Sequence, residues 1–377
     1  MKRKTFIILM IILGILVATG ALLMRLKTPK QPTVAMGSPL LDALPANEVV
    51  SIKFDGAGLP VTLTRKGNQW VVEERFEYPA DFERITDFVR NLKDAKVGRM
   101  FGASEEALKR LSLKSPDLKG VPDEDKAMRV RMYDAQGGVV LDLSVGNTRT
   151  RGEEKLPDGQ FVRLGEDSQV YLIDQTLTAY LTGPAEWVAK TPVNVEADDV
   201  REIRCMSPEG ETLRFAFARP GKGKPFERVY PENNRKIKRS SLNRLTNALS
   251  SINISDVTDP SATPQAVKPG VSPCLIYRLF NGMIYRVYPG NECPKAGVCY
   301  VRFEVDYHSP PRSREDETGK AEEKTGQKPE PEQMEKKARE ANDRLSPWVF
   351  VIPKWQHKAF ITRMDELMET QEGKGKG

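Results

Sequence analysis

The pattern of apolar and polar positions begins with one unbroken apolar run. Phe6–Met24 are 19 consecutive uncharged residues, and a helix of that length spans roughly 28 Å, close to the thickness of a bilayer core. Because a backbone in lipid must satisfy its own hydrogen bonds, residues 6–24 are expected to form a single transmembrane helix. Residues 1–27 are therefore interpreted as an uncleaved signal anchor. A cleaved signal peptide and a buried core helix are the alternatives.

Basic residues lie on both sides of this run. The three bases at positions 2–4 favour a cytoplasmic N-terminus, whereas Arg25, Lys27 and Lys30 oppose it. A large C-terminal domain can be translocated despite a few flanking charges, so we expect a single-pass inner-membrane protein with most of the chain in the periplasm. Residues 28–46 contain four prolines and are expected to form an extended spacer.

Short alternating apolar runs separated by glycine turns follow and predict antiparallel strands. The first of these runs are Val49–Phe54, Val61–Arg65 and Gln69–Val72. Asp81 then stands where a helix N-cap is expected, because apolar residues recur behind it at intervals of three and four positions. The members of this stripe are Phe82, Ile85, Val89 and Leu92. The pattern predicts a meander followed by an amphipathic helix.

A second series of runs repeats this order. It begins with Val200–Met206, and Ser241 corresponds to Asp81 at an offset of 160 residues. The second stripe matches the first at the same offset and consists of Leu242, Leu245, Leu249 and Ile252. The repeat predicts an α+β protein with two tandem homologous domains, at residues 47–190 and 198–368. Each domain is expected to have a mostly antiparallel sheet with packed helices.

Further strands are predicted downstream in both series. Gln160–Leu164 and Val170–Ile173 have their counterparts in Tyr300–Val305 and Trp348–Ile352. The dipeptide Asn281–Gly282 lies between two apolar runs, and Asn-Gly is a strong signal for a two-residue hairpin.

The second series carries a charged insertion. Residues 309–345 contain ten acidic and nine basic residues, which predicts a solvated polyampholyte in which Pro331–Leu345 can form a charged helix. A docking arm is one interpretation, and a tolerated surface insertion is preferred. Trp355–Met368 is predicted as a closing amphipathic helix, and residues 369–377 as a flexible tail.

The four cysteines lie in the second series. Cys293 and Cys299 flank a five-residue loop, and so short a loop can bring two strand ends within bridging distance. A Cys293–Cys299 disulfide is therefore predicted, with free thiols as the alternative, and the pairing of Cys205 and Cys274 is left open. Neither a CxxC pair nor a Cys/His spacing typical of zinc sites occurs, so no metal site and no cofactor is predicted.

The positive net charge of the chain is concentrated near its N-terminus. The net charge is +6, but five of these charges lie in residues 1–27, so the rest of the chain is nearly neutral. A nearly neutral folded part argues against nucleic acid as a partner. Basic stripes are conceivable on the predicted strands, but exposed strand faces explain these arginines equally well. They are Arg129, Arg131, Arg278 and Arg286.

Candidate chemistry is sparse. No G-x-S-x-G, P-loop or H-E-x-x-H motif occurs. The adjacent Asp198 and Asp199 would point apart on a strand, so a catalytic pair of carboxylates is not expected. The glycine- and lysine-rich loop 221–224 is not followed by the helix that a phosphate-binding site needs. With only His308 and His357 in the chain, histidine catalysis is disfavoured. No catalytic residue is predicted.

Several local strings carry a family resemblance, namely Gly67–Trp70, Tyr78–Asp81 followed by Ile85 and Leu92, Leu111–Pro116 and Val145–Asn147. Together they resemble a bacterial family of domains of unknown function, in which tandem extracytoplasmic repeats follow an N-terminal transmembrane helix. The resemblance covers most of residues 47–190 and, more faintly, residues 198–368. Members of that family are often encoded beside auxiliary proteins of gliding-motility-type ABC transporters. The resemblance implies architecture and genomic neighbours, and no catalytic residue.

These observations predict a non-enzymatic, membrane-anchored accessory or scaffold protein of an envelope complex, with ABC-type transport as the favoured setting. Its expected partners are the membrane, through residues 6–24, and proteins of that complex. A cell-wall or polysaccharide binding module is one alternative and requires exposed aromatic residues among Trp70, Trp187 and Tyr285. An unrecognised hydrolase is the other and requires a pocket with convergent polar groups between the two domains.

Overall fold

The coordinates come from a computed structural model of the chain. The residues described are 36–56, 60–232, 235–262, 267, 271, 273–290, 293, 298–309 and 331–369. The predicted transmembrane segment 6–24 lies outside these residues, as do residues 310–330 of the insertion and nearly all of the predicted tail. Within the described part of the chain, no helix is both long enough and apolar enough to cross a membrane.

The first sheet contains nine antiparallel strands among the described residues. They are β1 (Ser51–Asp55), β2 (Val61–Lys66), β3 (Gln69–Val72), β4 (Tyr78–Pro79), β5 (Val97–Gly102), β6 (Met128–Tyr133), β7 (Val139–Arg151), β8 (Leu156–Leu164) and β9 (Gln169–Ile173). Their order across the sheet is β4-β3-β2-β1-β6-β7-β8-β9-β5. We call residues 36–190, which include this sheet, the first unit.

The second sheet contains eight antiparallel strands in the described part of the chain. They are β10 (Val200–Met206), β11 (Leu213–Ala218), β12 (Glu227–Tyr230), β13 (Asp256–Val257), β14 (Cys274–Leu279), β15 (Met283–Pro289), β16 (Cys299–Tyr307) and β17 (Val349–Ile352). Their order is β12-β11-β10-β14-β15-β16-β17-β13. We call residues 198–369 the second unit. Apart from β4, both sheets follow the same order, and the homology of the two units stays a prediction.

Five α-helices among the described residues pack with these sheets, so the predicted α+β class is confirmed. They are α1 (Phe82–Asp94), α2 (Glu105–Arg110), α3 (Arg239–Thr246), α4 (Pro331–Leu345) and α5 (Lys354–Phe360). Asp81 caps α1 as predicted, since its Oδ1 accepts from the Arg84 N–H at 3.1 Å. The predicted stripe is wrong at Phe82, which is 61% exposed, whereas Phe88 is fully buried. Phe88 packs against Phe54, with ring centroids 5.2 Å apart.

The second predicted cap is wrong. Lys238 precedes α3 without a side-chain cap, and Ser241 lies inside the helix with 1% exposure. The helix ends at Thr246, so the apolar stripe continues into the following turn, where Leu249 and Ile252 are fully buried.

The predicted helix Trp355–Met368 is shorter in the structure. After α5 the chain forms a separate 3-10 turn at Met364–Leu367. Between them, Thr362 Oγ1 donates to the carbonyl oxygens of Lys358 and Ala359 at 3.2 and 3.1 Å. A threonine hydroxyl that binds the preceding turn competes with the next backbone amide, which explains why the helix stops there.

Part of the predicted spacer belongs to the first unit. The Gly37 N–H donates to the Val97 carbonyl, and the Leu40 N–H donates to the Ala95 carbonyl, both at 2.8 Å. Leu40 is 7% exposed and joins the hydrophobic core. The prediction of an extended spacer over residues 28–46 is therefore wrong for its second half, because Leu40 buries its side chain beside the end of α1.

The helical half of the charged insertion is also part of the fold. α4 has the predicted bounds and contacts β16. Asn342 Oδ1 on this helix accepts from the Val305 N–H at 3.0 Å. The buried side chains of α4 are Met334, Ala338 and Leu345. Of the predicted insertion 309–345, this part is packed rather than solvated.

One hydrophobic core runs through both units. Tyr78 on β4 packs edge-on against Trp348, with ring centroids 5.0 Å apart, and against Phe350 on β17 at 6.1 Å. Arg75 Nε donates to Asp256 Oδ1 at 2.6 Å. These contacts hold the β4 edge of the first sheet against the second unit.

Candidate functional site

A groove of about 1210 Å³ lies beside the edge strand β12 in the second unit. Its walls are β12, the start of α3 and the segment 235–238 between them. Seven basic and three acidic residues line it, so we call it the basic groove. The basic residues are Arg219, Lys224, Arg228, Arg235, Lys236, Lys238 and Arg239, and the acidic residues are Asp198, Glu227 and Glu369.

Arg219 forms a rigid part of the floor. It is only 7% exposed, and its Nε donates to the Val200 carbonyl at 2.7 Å. Its Nη1 lies 3.3 Å from Asp198 Oδ1, and its guanidinium stacks over the Phe226 ring at 4.6 Å from the centroid. Because these contacts use most of its hydrogen-bond donors, Arg219 stabilises the floor of the groove and does not offer a free charge to a ligand.

The opposite wall is fixed by the C-terminal segment of the second unit. Arg228 Nη1 donates to the Arg235 carbonyl at 2.9 Å, which joins β12 to the segment 235–238. The Lys238 N–H donates to the Leu367 carbonyl at 2.9 Å. Arg235 Nη1 lies 3.5 Å from Asp365 Oδ1. The groove is therefore preformed in the fold.

Four cations at the groove have no carboxylate partner among the described residues. They are Lys224, Lys236, Lys238 and Arg239, all of them exposed. Exposed cations of one sign on a concave surface create a local positive potential that attracts anionic groups. The arrangement can bind carboxylates or phosphates of a partner without any bond-making step.

The arginines that suggested basic stripes are neutralised instead. Arg129 donates to both carboxylate oxygens of Asp142 at 2.8 and 2.6 Å, and Arg131 donates to Asp55 at 2.6 Å. The hydrogen bond with Asp142 raises the pKa of Arg129 above its ordinary value. In the second unit, Arg278 lies 3.6 Å from Glu202 and Arg286 lies 3.5 Å from Asp306. These four strand arginines are therefore not free cations, whereas Lys224, Lys236, Lys238 and Arg239 of the groove have no carboxylate partner among the described residues.

The adjacent acids 198 and 199 do not form a dyad. Asp198 pairs with Arg219 at 3.3 Å, whereas Asp199 pairs with Lys222 from the neighbouring loop. The loop 221–224 is a turn that leads into β12 and not into a helix. Its last residue, Lys224, lines the basic groove.

A second cavity, of about 430 Å³, lies between the two units. Aromatic side chains dominate one wall, with Trp70 half-buried, Tyr78 buried and Phe82 61% exposed. Burial raises the pKa of Tyr78 above its ordinary value, so its hydroxyl stays protonated. Arg344 of α4 closes the other side. Among the described lining residues there is no carboxylate, imidazole or thiol, and the hydroxyl groups there are those of Tyr78 and Thr191.

The other two aromatic residues singled out from the sequence lie elsewhere. Trp187 is fully buried and packs on Phe54, with ring centroids 4.9 Å apart. Tyr285, on β15, is half-buried and contacts the core. Of the three, Trp70 alone lines a cavity described above.

Cys293 and Cys299 are joined by a disulfide, and their Cα atoms are 4.4 Å apart. His357 of α5 lies beside the bond, with Nδ1 3.6 Å from Cys293 Sγ and Nε2 2.7 Å from the Gly290 carbonyl oxygen. The sequence does not group this histidine with the cysteines, because α5 begins more than 50 positions after the second cysteine. The chain offers no spacing signal for such a cluster.

The two remaining cysteines are free thiols, both buried. Cys205 lies on β10 and Cys274 at the start of the neighbouring β14. Burial raises the pKa of Cys205 to about 12 and that of Cys274 to about 11. Thiols with such high pKa values stay protonated at neutral pH and are poor nucleophiles, so they behave as apolar side chains of the core.

The fold is thus that of an α+β protein with two antiparallel sheets and a basic groove beside one of them. Residues 70–269, just over half of the chain, match the family described as Domain of unknown function (DUF4340), and the chain belongs to this family. The matched range begins in β3 and ends after β13, so it includes strands of both sheets. Neither a curated protein nor a solved structure matches the chain.

Proposed function

We propose that this protein is a non-enzymatic accessory or scaffold protein of an envelope complex, anchored in the inner membrane by residues 6–24. In this proposal the basic groove receives an acidic, extended segment of a partner protein. The observation that carries the proposal is the set of four exposed cations around a preformed groove of about 1210 Å³, none of which has a carboxylate partner in the part of the chain that the structure describes.

The edge strand supports a protein segment as the occupant. Among the described residues β12 pairs only with β11, and an outer edge of this kind can accept a further strand. Val229 and Tyr230 on this strand are 53% and 43% exposed. An extended segment can add to a free strand edge through its backbone, while its side chains select for charge and shape. In a segment that alternates acidic and apolar residues, the acidic side chains would pair with the groove cations and the apolar ones would pack on Val229 and Tyr230.

The lining chemistry supports binding rather than catalysis. Among the described lining residues there is no histidine and no cysteine, and one of the three carboxylates, that of Asp198, is paired with Arg219. General acid–base or nucleophilic catalysis needs such groups in hydrogen-bond reach of one another.

The resemblance to repeats encoded beside ABC transporter auxiliary proteins supports the setting. An accessory protein of that kind needs a membrane tether, a rigid body and an open contact surface. The predicted anchor would supply the first. The core shared by both units supplies the second, and the basic groove supplies the third.

The test is co-purification of the full-length chain from membranes with its partners. A variant that combines Lys236→Glu, Lys238→Glu and Arg239→Glu reverses three groove charges. Its matched control combines Lys93→Glu and Arg99→Glu with Lys96→Glu, three exposed cations of the first unit. We expect the groove variant to lose at least about 90% of an envelope partner that the control retains. Equal recovery by both variants, or no envelope partner with the natural chain, would contradict the proposal.

A second candidate function rests on the cavity between the units. Trp70 and Phe82 present aromatic faces there, and such faces stack on sugar rings in carbohydrate-binding proteins. A polysaccharide module would bind soluble cell-wall glycan fragments in this cavity. Titration of the full-length protein with such fragments should then quench tryptophan fluorescence, and Trp70→Ala should abolish binding. Unchanged fluorescence at millimolar glycan would eliminate this candidate.

A further inference from the structure

The disulfide lies against a buried histidine that is held in one orientation. His357 is 2% exposed, and its Nε2 lies 2.7 Å from the Gly290 carbonyl oxygen. A carbonyl oxygen can only accept, so Nε2 carries the proton and donates it. The Gly290 N–H in turn donates to the Tyr300 carbonyl at 2.9 Å. This bond holds Gly290, and with it the carbonyl that accepts from His357, at the end of the β15–β16 hairpin.

The other ring nitrogen then presents a lone pair to the sulfur atoms. His357 Nδ1 lies 3.6 Å from Cys293 Sγ. In the disulfide neither sulfur carries a hydrogen, so this contact is not a hydrogen bond. Nδ1 is therefore a buried acceptor without a donor among the described residues, and it is aimed at the two sulfurs. A histidine whose other N–H binds a backbone carbonyl is the usual arrangement of a metal-ligating imidazole.

The distances fit a tetrahedral soft-metal site. The two Sγ atoms and the imidazole nitrogen all lie within 4.8 Å of one another. With metal–sulfur bonds of about 2.3 Å and metal–nitrogen bonds of about 2.0 Å, tetrahedral ligands are roughly 3.5 Å apart for a sulfur–nitrogen pair. The separation of Cys293 Sγ and His357 Nδ1 already matches this value. The two sulfurs must separate to roughly 3.8 Å, which follows once the bond between them is broken.

We propose that Cys293, Cys299 and His357 form a redox-controlled site for Zn²⁺, in which the disulfide is the metal-free state. A dithiol reductant transfers two electrons and two protons to the Cys293–Cys299 bond, which opens to two thiols while the reductant becomes a disulfide. Zn²⁺ then binds both sulfurs and Nδ1, and the two thiol protons leave to solvent. A water molecule completes the fourth position, as in other sites with three protein ligands.

The position of the site connects metal binding to the packing of α5 in the second unit. Cys299 is the first residue of β16, and His357 lies on α5, which contacts this strand. Both the disulfide and the bound ion link Cys293 to Cys299, but only the ion also binds both sulfurs to His357 of α5. Metal binding is thus expected to stabilise α5 against the sheet.

The test uses the purified full-length chain in detergent, reduced with a dithiol and freed of the reductant without air, with Zn²⁺ alone as the probe. We expect calorimetry to give one ion bound per reduced chain and none per oxidised chain. Co²⁺ in place of Zn²⁺ should give the absorption of a tetrahedral thiolate complex. Absence of binding to the reduced chain would overturn the proposal.

Two variants locate the ligands. His357→Gln can still donate to the Gly290 carbonyl but offers no imidazole, so it should weaken Zn²⁺ binding at least about tenfold. Cys293→Ser should abolish the Co²⁺ thiolate absorption, and this readout stays available if the histidine variant fails to fold. The matched control combines Cys205→Ala with Cys274→Ala, which removes the two other thiols and should leave binding unchanged. Unchanged affinity in His357→Gln, or loss of binding in the control, would overturn the proposal.

Discussion

The two sheets differ at one corresponding edge, which is covered in the first unit and exposed in the second. In the first unit, the edge strand β3 is covered by the short β4, whose Tyr78 packs against Trp348 of the second unit. In the second unit, β12 lies at the corresponding edge, and no described strand is added to it. Its exposed Val229 and Tyr230 lie next to the basic groove.

The difference indicates how one strand order can serve two purposes. Unpaired strand edges invite association, and proteins usually cover or charge them. The first unit covers its edge and uses it to hold the two units together. The second unit leaves its edge open and surrounds it with cations, which favours an acidic partner over another sheet of this chain. We therefore interpret the first unit as the support and the second as the contact surface.

The largest effect should come from the core of the first unit. Trp187→Ala removes a fully buried ring that packs on Phe54 and Phe88. A cavity of this size costs about 3–5 kcal/mol. We expect chemical denaturation to show a loss in this range, with a transition that includes both units because their core is shared. A loss below about 1 kcal/mol would contradict the role of the first unit as a rigid support.

An intermediate effect should follow from a paired arginine. Arg129→Gln removes two hydrogen bonds to Asp142 and leaves that half-buried carboxylate without its partner. The expected loss is about 1–2 kcal/mol, since the pair is partly screened by solvent. Denaturant titration of this variant against Arg99→Gln, an exposed arginine of the same unit, measures it. Equal stability of the two variants would show that the stripe arginines are not structural.

The sequence predicts those features of the fold that depend on residues close together in the chain. Asp81 as a cap, the bounds of α4 and the Asn281–Gly282 hairpin follow from short-range chemistry, and all three agree with the structure. The prediction that Phe82 belongs to the buried stripe is wrong, and Phe88 is buried instead. Which of the two rings is buried depends on the position of Phe54 in the neighbouring sheet, which periodicity does not contain.

The candidate sites could not be predicted because they join distant segments. The groove combines Arg219 and Lys224 with the cations at 235–239, and total charge does not reveal that these cations lie together. His357 reaches Cys293 only through the docking of α5 on the second sheet. Contacts of this kind exist only after folding.

A smaller effect is a pH dependence of the unfolding free energy, which we expect to arise in the second unit alone. Both histidines of the chain lie in the second unit, and burial lowers the pKa of His357 below its ordinary value of 6.5. The unfolded chain then binds a proton more readily than the folded one, so stability is complete above about pH 6.5 and falls below it. The slope is at most about 1.4 kcal/mol per pH unit for one proton.

The oxidised, metal-free protein is the form in which to measure this slope. His357→Gln should flatten the dependence of unfolding free energy on pH between about 6.5 and 5, where histidine titrates. His308→Gln, at an exposed histidine, is the matched control and should leave the slope unchanged. A slope that persists in the first variant would place the titrating group elsewhere.

The smallest effect on stability should come from the groove itself. The combination Lys236→Gln, Lys238→Gln and Arg239→Gln removes three exposed charges that have no carboxylate partner among the described residues. Substitutions at such positions change stability by less than about 0.5 kcal/mol. A loss above about 1 kcal/mol in thermal unfolding would mean that these cations hold the fold together and are not kept free for a partner.

The most direct measurement is photo-crosslinking in intact membranes from a residue placed at Lys236, with the same residue at Lys93 as the control. If the basic groove is the contact surface, the Lys236 position yields a crosslink to an envelope protein, mapped by mass spectrometry to an acidic segment, and the Lys93 position does not. Crosslinks that are the same from both positions, or that map to a segment without acidic residues, would contradict this account.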